Sequence, residues 1–216
     1  MTICISCKYL KEDGTHGTLA ASDSEVSVGE KRLLGISGSD NKMVSFPGAV
    51  VSMSGNGCVY EALLMLREDE KFSKRVQFRT RKDIREFALN FSAQYKHLTE
   101  QAPIDANELT VGVLVIATPD KIWSVFCDLS IFEHEYFYYT GSGGATALGL
   151  LTHYNPSFNK EELRDFLVKT IQTVSVSDLG CGGQVKVWEV EAPNPPPSKK
   201  KRKKLTVEPT NDKIQE

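Results

Sequence analysis

The 216-residue chain predicts an α+β fold, a four-layer αββα sandwich. Three observations lead there. Strand-like segments alternate with pairs of helix-like segments along the chain. The segment LTVGVLVIAT (109–118) is apolar at both odd and even positions, as a strand covered on both faces must be. The helical segments each carry one apolar stripe, so two sheets and two helical layers would satisfy every apolar face.

The elements follow in order. Residues 2–8 alternate, with Ile3, Ile5 and Cys7 on one face and Thr2, Cys4 and Ser6 on the other. A second strand is expected over GTLAASDSEV (17–26) and a third over AVVSMSG (49–55), ended by Gly55 and Gly57. CVYEALLMLRE then places Val59, Ala62, Leu63 and Leu66 at helical spacing. A longer helix over 79–97 carries Ile84, Phe87, Ala88, Phe91 and Tyr95 on one side. LTVGVLVIAT and KIWSVFCD flank a Pro-Asp turn and predict a hairpin. YFYYTGSGG leads into a third helix, ATALGLLTHY. Asn159 with Glu162 forms a capping-box pattern that opens a fourth, striped by Leu163, Phe166, Leu167, Thr170, Ile171 and Val174. QVKVWEV (184–190) closes the body as a strand.

The folded body is expected over 2–191, and a disordered tail over 192–216. Four prolines fall within 193–197 and six basic residues run from 199 to 204. From Pro193 onward there are seven Lys/Arg against three Asp/Glu, so the body is the acidic part of a chain whose net charge is -2. The tail reads as a solubilising extension, a nuclear-import signal or a weak contact for anionic surfaces, nucleic acid included. No stretch approaches the length of a membrane span. Five scattered cysteines and no signal-type segment before the first strand point to a reducing, cytoplasmic compartment.

Other motifs are set aside. Cys4 and Cys7 form a Cys-x-x-Cys, but on a strand they face opposite sides, so no metal is expected. His16, His97, His134 and His153 lack ligand spacing. Glu133 and Glu135 beside His134 read as a solvated strand face. The GSGG stretch lacks the Lys-Ser/Thr of a phosphate loop. No cofactor is expected.

The opening MTICISC poses the chemical question. A Thr hydroxyl is a weak nucleophile without a base. Once an aminopeptidase removes Met1, Thr2 would carry its own base, an α-amine with a reference pKa of about 7.7–8.0. Further along, LAASDSEVS holds Asp23 just past a strand, and NKMV offers Lys42. TGSGG places Ser142 in a glycine turn that opens a helix, and SDLGCGG places Asp178 and Cys181 in a loop.

These residues, in this order, resemble the β-type subunits of proteasomes and the simpler bacterial two-ring peptidase, members of the N-terminal-nucleophile hydrolases. The resemblance covers about residues 2–190. It places Thr2 at the nucleophile. It matches Asp23 in ASDSEVS to the family's aspartate, Lys42 in DNKMV to its lysine (with Lys31 a competitor), and Ser142 in GSGG to its serine. In SDLGCGG, Asp178 matches an aspartate and Cys181 stands where the family has serine. It implies that Ser52 supplies a backbone N–H to an oxyanion and that Ser27 pairs with extended substrate. It also implies threonine-type endopeptidase activity on peptides or unfolded proteins, assembly into a ring, homo-oligomeric or with other proteasome-type subunits, and service by an ATP-driven unfoldase. Two alternatives stay open: a structural subunit without chemistry, and an N-terminal-nucleophile amidohydrolase or peptide ligase that works without a chamber.

Overall fold

The computed structural model describes residues 2–28, 31–33, 42–101 and 111–192. The tail expected over 192–216 lies outside the described residues beyond Ala192.

The chain begins with β1 (Cys4–Leu10) and β2 (His16–Ser22), continues through the short β3 (Val26–Val28) and β4 (Lys31–Leu33), and then forms β5 (Met43–Phe46) and β6 (Ala49–Gly55). Three helices follow: α1 (Gly57–Glu68), α2 (Glu70–Arg75) and α3 (Arg81–Gln101). Four strands come next: β7 (Val111–Ala117), β8 (Ile122–Val125), β9 (Ile131–His134) and β10 (Phe137–Thr140). The chain ends with α4 (Gly144–Leu151), α5 (Lys160–Ser177) and β11 (Lys186–Glu189).

The strands form two main antiparallel sheets, β10-β1-β2-β11 and β5-β6-β7-β8-β9, while β3 and β4 pair with each other. The expected hairpin is β7–β8, with Ala117 opposite Ile122.

Alternation along the strands builds three apolar clusters. Ile3, Ile5, Cys7, Leu19 and Ala21 of the first sheet pack on Leu163, Leu167, Ile171 and Val174 of α5 and on α4. Val51, Met53, Leu114, Ile116 and Trp123 of the second sheet pack on α1 and α3 through Leu63, Ile84, Phe87 and Phe91. Between the sheets lies a thinner cluster of Ala20, Met43, Val50, Ala117 and Val190. Ala20 and Ala117 are the small members of this cluster. Cys4 and Cys7 fall on opposite faces of β1, as the strand period requires.

Local chemistry explains the helix ends. Asn159 Oδ1 accepts from the Glu162 N–H while the Glu162 carboxylate accepts from the Asn159 N–H, a reciprocal capping box that opens α5. Asp69 accepts from the Lys71 and Phe72 amides and starts α2, a six-residue helix too short to show a period. β2 stops four residues before the expected end at 26. Beyond Ser22 the Asp23 side chain binds the Ile3 amide, and the Ser24 and Glu25 amides both turn to the Gly182 carbonyl. Among the described residues no helix is long and apolar enough to cross a membrane. All five cysteines are free thiols.

Candidate active site

The start of β1, the end of β2 and the approach to β5 meet at one end of the sandwich. The Thr2 N–H donates to Ser142 Oγ at 3.3 Å, and the Thr2 carbonyl accepts from the Gly143 N–H at 3.4 Å. Thr2 is 8% exposed. In this chain the nitrogen is the amide that joins Met1.

The turn 141–143 fits against Thr2 because Gly141 holds φ at +111°, a region that L side chains rarely adopt. A Cβ on Gly141 would lie 1.9 Å from the Thr2 carbonyl oxygen. Thr-Gly-Ser is thus a steric requirement as well as a chemical one.

Asp23 is the hub. Its Oδ1 accepts from the Ile3 N–H at 2.9 Å, its Oδ2 accepts from the Gly182 N–H at 3.1 Å, and the Lys42 ammonium donates to both oxygens at 2.8 Å. The two side chains are nearly sealed from water, at 1% exposure for Asp23 and 6% for Lys42. A buried carboxylate needs such a partner, because desolvation of a lone charge costs several kcal/mol, as an order of magnitude. Lys42 is thus a lysine that reaches Asp23, and the side chain of Lys31, the competitor left open by the sequence, lies outside what the structure describes.

Asp178 caps the end of α5. Burial pushes its carboxyl up, but the Gly180 N–H, the Ser142 hydroxyl and the Cys181 thiol all bind it, and the net effect holds it below the ordinary carboxylate range. Cys181 Sγ lies 3.5 Å from Asp178 Oδ2 and 4.0 Å from Ser142 Oγ. Burial pushes the Cys181 thiol up to about 12, and the negative charges of Asp23 and Asp178 add to it. It is a neutral, weak donor at any working pH. Ser142 is exposed and Asp178 half-buried, so this side of the cluster faces solvent.

Thr2, Asp23, Lys42, Ser142, Asp178 and Cys181, far apart in sequence, are therefore brought to one place: the Asp23–Lys42 pair and the group of Thr2, Ser142, Asp178 and Cys181 are joined through the Ile3 and Gly182 amides. Ser52 is not among those contacts, and the side chain of Ser27 lies outside what the structure describes. Ser52 is fully buried inside β6, opposite Met43 on one side and Val115 on the other. The next residue, Met53, gives its N–H to the Lys42 carbonyl on the β5 side, so the Ser52 N–H points the other way, into the β7 ladder. Ser27 lies in the β3–β4 pair, opposite Arg32. Sequence reasoning missed the Ile3 and Gly182 amides, which carry half of the Asp23 hydrogen bonds; backbone donors leave no mark on residue type. It also missed Cys4, whose thiol donates to the Met53 carbonyl at 3.4 Å.

A groove of about 660 Å³ runs along the sheet edges between residues 45–50 and 188–192, and none of the six clustered residues lines it.

Comparison with protein-family models and with curated protein sequences finds no match. Solved structures do match. BPH from Thiobacillus denitrificans superposes with a TM-score of 0.70 at 18% identity, over 88% of this chain and 98% of that one. The same protein in complex with epoxomicin gives 0.66 at 15% identity, over 90% and 100%. Anbu, an ancestral β-subunit from Yersinia bercovieri, gives 0.64 at 13% identity, over 87% and 81%. The chain therefore has a proteasome-like fold.

Proposed function

We propose that this protein is a threonine-type endopeptidase of the proteasome β-subunit class, with Thr2 as its nucleophile. The observation that carries the reading is the convergence of Asp23, Lys42, Ser142, Asp178 and Cys181 on the segment from Thr2 into the start of β1.

The chemistry starts with removal of Met1, which frees the Thr2 amine. The amine takes the proton of Thr2 Oγ1 as the oxygen attacks a substrate carbonyl. The proton then passes to the departing amine and leaves an ester on Thr2. Water hydrolyses the ester and regenerates the hydroxyl. Lys42, held charged by Asp23, disfavours protonation of the nearby amine and keeps it a base. Ser142 and Asp178 hold the amine and relay its proton, and Cys181 supports Asp178 with a weaker bond than a serine would give.

The fold shared with Anbu and BPH supports this reading, as does the epoxomicin complex of BPH. The further parts of the proposal follow from family resemblance: the likeness to the two-ring bacterial peptidase, a ring of like subunits enclosing the sites, peptide or unfolded-protein substrates, and an ATP-driven unfoldase.

The test is incubation of the purified protein with an epoxyketone directed at N-terminal threonine, followed by intact mass and peptide mapping. The expected result is loss of one Met and one adduct on Thr2, absent in Thr2→Ala. Retention of Met1 would leave Thr2 acylated and favour the structural-subunit reading. An adduct elsewhere, or none on a processed chain, would reject the mechanism.

A further inference from the structure

Thr2 and Lys42 stand on different sheets. The strand after Thr2 belongs to the four-stranded sheet, and Lys42 enters β5 at the edge of the five-stranded one. The Asp23 ion pair can form only if the two sheets keep a fixed offset at this end.

Two polar bridges cross the gap there. Thr140 Oγ1 and Ser54 Oγ share a hydrogen bond at 2.5 Å. The Cys4 thiol donates to the Met53 carbonyl at 3.4 Å, and the Met53 N–H donates in turn to the Lys42 carbonyl at 3.1 Å. The bridges are neighbours on both sides: Cys4 is paired with Thr140 in the first sheet, and Met53 precedes Ser54 in the second. Their positions tie them to the site. Cys4 is two residues after Thr2, Thr140 is two before Ser142, and Met53 holds the main chain of Lys42.

The β6–β7 register shifts between Met53 and Gly55, so that Ser54 alone on β6 faces two residues, 112 and 113, on a bulged β7. On β7, Gly112 lies so close that a Cβ there would fall 1.4 Å from the Ser54 carbonyl oxygen. Beside these bridges the buried hydroxyls of Ser22, paired with Cys4, and Ser52, paired with Met43, and farther along β1 that of Ser6, have no hydrogen-bond partner among the described residues. Cys4 is a dependable donor because burial pushes its thiol up to about 12 and keeps it protonated.

We infer that Thr140, Ser54 and Cys4 are positioning residues that clamp the Lys42 strand against the Thr2 strand and so set the distance between the Lys42 ammonium and the Thr2 amine. This rests on the proposed threonine mechanism.

Thr140→Val removes the hydroxyl at constant shape, and Thr140→Ser keeps it. The valine variant should lose about tenfold in kcat with KM changed less than about twofold, the signature of misplaced catalytic groups rather than lost binding. The acidic limb of its kcat/KM profile should move to higher pH, since an amine farther from Lys42 is protonated more readily. The serine variant should restore both values. Equal behaviour of the two variants, or a loss that only tracks the unfolded fraction in urea, would overturn the inference.

A processed wild-type protein that neither cleaves peptides nor labels at Thr2 would instead remove the functional reading. Hydrogen exchange then decides the clamp by itself. Amides of residues 42–55 should lose protection in Thr140→Val and keep it in Thr140→Ser, and unchanged protection in both would overturn it.

Discussion

Replacing Lys42 by Met isolates the most consequential contact in the molecule. Methionine keeps the length and the apolar stem but removes the ammonium that donates to both Asp23 oxygens at 2.8 Å. Asp23 then keeps only the Ile3 and Gly182 amides, at 2.9 and 3.1 Å. Those dipoles lower the cost of the buried carboxylate but do not neutralise it. Breaking one side of a buried ion pair costs about 3–5 kcal/mol. In a domain of this size each kcal/mol lowers Tm by about 2–4 °C, so a drop of roughly 6–20 °C is expected. Adding Asp23→Asn removes the stranded charge, and the double variant should be less destabilised than the sum of the singles by about 2 kcal/mol. The assay is urea unfolding of all four proteins at neutral pH and one fixed protein concentration, since any assembly would add a concentration-dependent term. A single-variant loss below about 1 kcal/mol, with additive doubles, would refute the reasoning, because that is the behaviour of a solvent-screened surface pair.

Two further outcomes follow from the same geometry. Gly141→Ala combines a positive φ with a Cβ driven into the Thr2 carbonyl, and it should destabilise the fold by about 4 kcal/mol or more; a Tm within a few degrees of wild type would show that the turn can yield. The Asp178 carboxyl lies below its ordinary value, opposed by burial but outweighed by bonds from Gly180, Ser142 and Cys181. A depressed folded-state pKa stabilises above the unfolded value of about 3.8 and is lost as pH falls through the folded one. Asp178→Asn should therefore flatten the fall of Tm between about pH 5 and pH 3, and an unchanged slope would contradict the assignment.

Much of the fold was legible because its signals are local. The period of two in β1, the stripe of α3 and the Asn159–Glu162 capping box of α5 are written in neighbouring residues. The segments that escaped notice, α2, β3, β4 and β5, are three to six residues long, too few for a period to stand out. The six clustered site residues were reached through short motifs matched to a family pattern. Ser52 was reached the same way and lies buried in β6.

Residue types and their order determined by themselves which side chains are available: a threonine behind the start residue, two aspartates, a serine in a glycine turn and a buried thiol where a hydroxyl was expected. Tertiary structure decided how they are used. Lys42 reaches Asp23 because two sheets meet at one offset, and the Met53 N–H bonds the Lys42 carbonyl across β5 and β6. Hydrogen-bond direction and sheet spacing arise between segments distant in the chain, so no local pattern encodes them.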